Sequence, residues 1–183
     1  VAEQTPADTT DAIWVQSNLL PDGTYAASIH YDQDRSRVLD RHAGLAYAAA
    51  VIDVASQAEH DAAVIRQLTA TGVRLTHAAA TVAELRADRP PIDDAVTAPL
   101  RLVPGVSQKT GNAFLAVFIG ARQVGQWDPG DAREHATAVL EALAAADLDA
   151  AYRRHLIGIV GLDPGSAQAA VNDLANHRQA RHE

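Results

Sequence analysis

Two short charged runs carry most of the chemistry this chain offers. Glu59-x-Asp61 is followed by Arg66, and Asp147-x-Asp149 is followed by Arg154. Two carboxylates two residues apart, with a guanidinium one to two turns further on, can bind a cation, position a substrate or move a proton. The plainer reading places the acids at a helix start or break, with each Arg answering a facing acid across an interface.

The two runs are equivalent positions in a longer self-match. Residues 39–68 align with residues 127–156 at an offset of 88 without a gap, and 10 of 30 positions are identical. Half of those identities are Ala; the others include Asp40/Asp128, Val51/Val139, Asp61/Asp149, Arg66/Arg154 and Leu68/Leu156. The match continues with one inserted residue through Gly72/Gly161, Val82/Val171 and Leu85/Leu174. A self-match at a fixed spacing reads as a tandem duplication.

Other constellations are weaker. The eight His residues (His30, His42, His60, His77, His135, His155, His177, His182) recur at no equivalent place and form no HExxH. Helical metal sites want ligands at i and i+3 or i+4. His30 and Asp32, on one side of a strand, are the best pair, and two ligands are too few. No Ser lies in a GxSxG context, and the glycines form neither GxGxxG nor a P-loop. The run VGLDPGSAQ could receive an anion at a helix N-terminus, though a loop with an N-cap explains it. We expect no cofactor and no metal. Arg35, Arg37 and Arg41 cluster after the first hairpin, with Arg122 and Arg133 near the same place in the second copy. A sheet bearing such residues can contact DNA, but Asp32, Asp34 and Asp40 interrupt the cluster.

Net charge of −8 disfavours a main role on nucleic acid or anionic lipid, which need clustered cations. It is also too small to suggest a mimic of nucleic acid. The absence of Cys removes disulfides, thiol catalysis and Cys-ligated metal. One Lys against fourteen Arg reads as the codon bias of a GC-rich bacterial genome. No apolar run has the length a membrane span requires, and residues 1–11 lack the regions of a signal peptide. The expectation is a soluble, cytoplasmic protein.

The elements that hold these residues follow from turn and cap chemistry. Pro21-Asp22-Gly23 predicts a hairpin between strands at 12–20 and 24–31, with a short third strand ending at Leu39. Asp40 predicts the cap of a helix reaching about Ala70, with a possible break near Glu59. Asp128-Pro129-Gly130-Asp131 predicts the matching start in the second copy. Positions 48, 51, 55, 58 and 62 and their equivalents form a narrow, Ala-rich seam, suited to close pairing of the two long helices. Gly72 and Gly161 predict the helix ends, and shorter helices follow near 76–88 and 166–178. Strands are predicted at 100–107, where Pro104 argues for a sheet edge, and at 113–119 and 123–127.

The fold class is therefore α+β: a tandem duplication of a β-β-(β)-α-α unit with pseudo-twofold symmetry, antiparallel meanders and central Ala-rich helices. Its division is a disordered tail at 1–11, repeat one at 12–87, a linker at 88–99, repeat two at 100–178, and a tail at 179–183. The functional expectation is a non-enzymatic binding or regulatory protein acting through a protein partner. One alternative is a DNA-binding accessory protein using paired β-ribbons and the face Arg35, Arg37, Arg41, Arg122 and Arg133. The other is a small enzyme or ligand binder with an acidic site between the halves, built from Glu59, Asp61, Arg66, Asp147, Asp149 and Arg154.

Overall fold

The computed structural model describes residues 13–20, 22–32, 35–89 and 93–179. The expected N-terminal tail, Pro21, Asp34, Pro90-Pro91 and residues 180–183 lie outside them.

The fold is α+β, with two separate three-stranded antiparallel sheets and helices. The first sheet is a meander of β1 (Trp14–Leu19), β2 (Tyr25–Asp32) and β3 (Arg35–Leu39). Its first turn closes because Asp22 accepts hydrogen bonds from Thr24 N at 2.9 Å and Thr24 Oγ1 at 2.6 Å, while Gly23 takes φ +82°. That backbone region is open to Gly at no steric cost. The second sheet is the meander β4 (Leu100–Val106), β5 (Ala113–Ile119) and β6 (Arg122–Trp127). β4 lies at its edge, where a residue without an N–H such as Pro104 interrupts no inner ladder.

The first sheet leads into α1 (Arg41–Ala70), capped by the Asp40 side chain on Ala43 N at 2.8 Å. α2 (Leu75–Ala87) follows, and then a single helical turn, α3 (Asp94–Thr97), capped by Asp93. The second sheet leads into α4 (Pro129–His155), which starts on a full capping box: Asp131 N donates to Asp128, and Asp128 N donates to Asp131. α4 runs into a π-helical turn over Leu156–Val160, which Gly161 closes at φ +79°, and α5 (Pro164–Gln179) follows.

One expectation changes. α1 is continuous, so Glu59 and Asp61 sit in mid-helix rather than at a break. Both acids are served by Arg residues from other elements, so no break is needed to expose them. Within residues 88–99, read as the linker, α3 forms and its Thr97 is buried. Arg37 donates to the carbonyls of Val96 and Ala98 and ties that turn to β3.

α1 and α4 pack directly on each other. Ala48, Val51, Ala55, Ala58 and Ala62 of the expected seam are buried on α1, as are Ala136, Val139, Leu143 and Ala146 on α4. Ala and Gly at such a contact let helix backbones approach closely. Each long helix then covers the sheet that is remote from it in sequence. α4 packs chiefly on β1 and β2, and α1 on β4 and β5. One apolar core therefore draws on both sheets and both long helices. Two smaller clusters flank it: one joins α2 to the end of α1, and the other joins α5 to Leu156 and Tyr25. Among the described residues, no helix is long and apolar enough to cross a membrane.

Candidate functional site

Asp61 is wholly buried, and both of its carboxylate oxygens are taken. Arg86 meets Oδ2 through Nη2 at 2.6 Å and Nε at 3.0 Å, and Arg89 meets Oδ1 through Nη2 at 2.6 Å. Arg86 also donates from Nη1 to the Pro104 carbonyl at 2.9 Å. This cluster bolts the end of α2 to the middle of α1 and to the edge strand β4. A buried carboxylate needs such partners, since leaving it unpaired would cost several kcal/mol. Asp149 is buried too and is engaged in an interaction of its own.

The other two recurring acids join α1 to α4. Glu59 takes a forked pair of bonds from Arg133, Nη1 to Oε1 at 2.8 Å and Nη2 to Oε2 at 2.5 Å. The Arg133 bonds hold the Glu59 carboxyl below its usual range. Asp147 pairs with Arg41. In both cases the Arg lies near the N-terminal end of one long helix and the acid lies on the other helix. Arg66 and Arg154 are exposed on α1 and α4.

Glu59, His60 and Arg66 come together on one side of an open groove of about 740 Å³. Asn112 of the β4–β5 turn, with Asp128 and Pro129 at the start of α4, completes its lining. Asp61 is not in this groove, because α2 covers it, and Asp147 pairs away from it. Among the described residues, Glu59, Asp61 and Asp147 are thus held by different Arg partners, and only Glu59 lines this groove.

The Arg set is likewise divided. Arg37 is committed to the carbonyls of Val96 and Ala98, Arg41 to Asp147 and Arg133 to Glu59. Arg35 is exposed at the start of β3, and Arg122 is exposed in the other sheet and engaged. Among the described residues no group of three or more His, Cys, Asp or Glu is placed to hold a metal ion. His30 stacks on Trp14, with centroids 4.8 Å apart; the Asp32 side chain lies outside the described residues.

A polar contact that the motifs do not reveal lies in the α1–α4 interface. The buried Tyr47 hydroxyl and His135 Nε2 are 2.9 Å apart. Trp127 packs against the same imidazole, with centroids 4.8 Å apart. Burial pushes the His135 imidazole down to about 4 and raises the Tyr47 phenol, so both are neutral near pH 7. The signal available in the sequence was the spacing: Tyr47 and His135 are 88 residues apart. Arg86 and Arg89, the partners of Asp61, carried no such signal.

No protein-family model, curated protein or solved structure matches this chain.

Proposed function

We propose that this is a non-enzymatic binding or regulatory protein, built as an internal pseudo-dimer and acting through a protein partner in the cytoplasm. The observation that carries the reading is Asp61, with both oxygens closed by Arg86 and Arg89. The most chemically suggestive recurring acid is spent on joining elements. Glu59 and Asp147 serve the same end between α1 and α4. A framework held this firmly suits presentation of a surface.

The internal pseudo-dimer is taken to arise by tandem duplication, with halves at 12–87 and 100–178. Four observations support it. The order strand, strand, strand, long helix, shorter helix occurs twice. Asp40 and Asp128 cap α1 and α4 at equivalent positions. Tyr47 and His135, also equivalent, touch. The self-match slips by one residue between Leu68/Leu156 and Gly72/Gly161, and the π-turn falls at that slip.

Thermal-shift measurements with divalent metals, nucleotides and short DNA duplexes, at low and moderate salt, test the functional reading. It expects no ligand-dependent shift, together with a protein that co-isolates with the native chain. A second reading, ligand binding, is favoured by the groove that gathers Glu59, His60 and Arg66. A shift with a metal or nucleotide that disappears in His60→Ala would establish that reading instead. A salt-sensitive shift with DNA would establish the DNA-binding alternative.

A further inference from the structure

The outer faces of α1 and α4 differ, although their inner faces correspond. On α4, Leu148 is 56% exposed, and beyond it, in the π-turn, Ile159 is 78% exposed. Leu148 is the most exposed large apolar side chain of α4. The exposed positions around Leu148 are symmetric along the chain. Ala144 and Tyr152 lie four residues to either side, and Glu141 and His155 seven, all within α4. Spacings of three and four keep all of them on one stripe.

We propose that α4 pairs antiparallel with α4 of a second copy of this chain, about a twofold axis at Leu148. The pairing does not rest on the partner reading above. About that axis each position meets the residue as far on the other side, and every resulting pair is complementary. Leu148 meets Leu148, and the small Ala144 meets the large Tyr152. Glu141 meets His155, with the exposed Arg154 beside it. The acidic residue lies toward the N-terminal side of the stripe and the basic residues toward its C-terminal side. Antiparallel pairing therefore sets the Glu141 carboxylate against the His155 imidazole and the neighbouring Arg154 cation, and parallel pairing would set Glu141 against Glu141. Opposed helix dipoles favour the same orientation.

α1 does not repeat this stripe: its exposed large apolar residues, Leu45 and Ile52, lie nearer its N-terminal end. The residue matching Leu148 is His60, flanked by Ser56 and Val64 four residues away and by Asp53 and Gln67 seven away. Pairing through the α4 stripe closes at a dimer, since a twofold contact uses the same patch on both copies.

The full chain should sediment as a species of twice 19.3 kDa. Leu148→Glu should sediment as a monomer with an unchanged far-ultraviolet circular dichroism spectrum. The chain has no Cys, so single thiols report proximity cleanly: oxidised Leu148→Cys should give a covalent dimer, and oxidised His60→Cys should not. Glu141→Arg should weaken the dimer, and adding His155→Glu should restore it. A wild-type monomer at the highest soluble concentration overturns the proposal. So does a dimer that survives Leu148→Glu, or equal crosslinking through His60→Cys.

Discussion

Tyr47 and His135 hydrogen-bond to each other across the α1–α4 contact at 2.9 Å, and they are 88 residues apart in the chain. The same offset aligns the chain with itself. In a body made of two equivalent halves, a residue meets its own equivalent only near the twofold axis. Under the duplication proposed above, the axis passes between these two side chains. A true twofold would place identical residues there. This chain has a phenol on one side and an imidazole on the other, which form a hydrogen bond that two Tyr or two His side chains would make differently.

That pair makes stability depend on pH. Burial lowers the folded-state value of His135 to about 4 from an ordinary 6.5. Between those values the unfolded chain binds the proton and the folded chain does not, so acidification favours unfolding. His135 should therefore remove stability as pH falls from about 6.5 to 4, by up to about 3 kcal/mol. Urea denaturation at steps between pH 7 and 4 measures this slope. In His135→Phe the part of the slope due to this residue should vanish. An unchanged slope would mean that His135 is not the group responsible.

Asp61 and Glu59 should differ sharply in their energetic weight, though both are paired with Arg. Asp61→Ala leaves Arg86 and Arg89 facing a buried void and should destabilise by about 3–5 kcal/mol. Glu59→Gln acts on an exposed pair and should cost no more than about 1 kcal/mol. Denaturant midpoints at neutral pH separate the two. Equal costs would show that the Asp61 cluster is solvated in solution and is not the bolt described here.

These residues also mark how far the sequence could be read. Strands and helix starts were legible because the cues are local: Asp22-Gly23 for the first turn, and Asp40 and Asp128 for the caps. The edge position of β4 followed from Pro104, because proline lacks the N–H that an inner strand must donate. The partners of Asp61 were not legible. Arg86 and Arg89 lie 25 and 28 residues away, and only the packing of α2 on α1 brings them to the carboxylate. For the same reason the mid-helix acids looked like a break in α1. That each long helix covers the sheet remote from it in sequence is likewise a property of tertiary packing, on which local patterns are silent.

The closeness of α1 and α4 can be tested at one atom. A Cβ on Gly44 would fall 2.6 Å from Leu143 Cδ1 and 2.8 Å from Cδ2. Two effects compete in Gly44→Ala. Helix propensity gains about 1 kcal/mol, and overpacking against a buried Leu costs about 1–3 kcal/mol. The sum should be a small destabilisation. In a Leu143→Ala background the clash is gone, so the same change should become stabilising by about 1 kcal/mol. A double-mutant cycle reads this reversal of sign directly. The same effect in both backgrounds would separate the two residues.

The π-turn gives the last prediction. A π-turn accommodates one residue more than an α-helical turn within the same helix. Leu156–Val160 lies where the second copy carries its extra residue, and a side chain at Gly158 would meet no neighbour within 4 Å. Deleting Gly158 should therefore let α4 end in an ordinary α-helical turn, as α1 does at Thr71, with α5 still packed through Ala167 and Val171. Deleting Ala144 instead would rotate everything beyond it by about 100° about the helix axis. That rotation would carry Ala146, Asp149 and Leu156 out of their buried positions. The Gly158 deletion should unfold cooperatively near the wild-type midpoint, and the Ala144 deletion should not fold. If both deletions abolish folding, the π-turn is an integral part of the packing and the accommodated-insertion account of the slip fails.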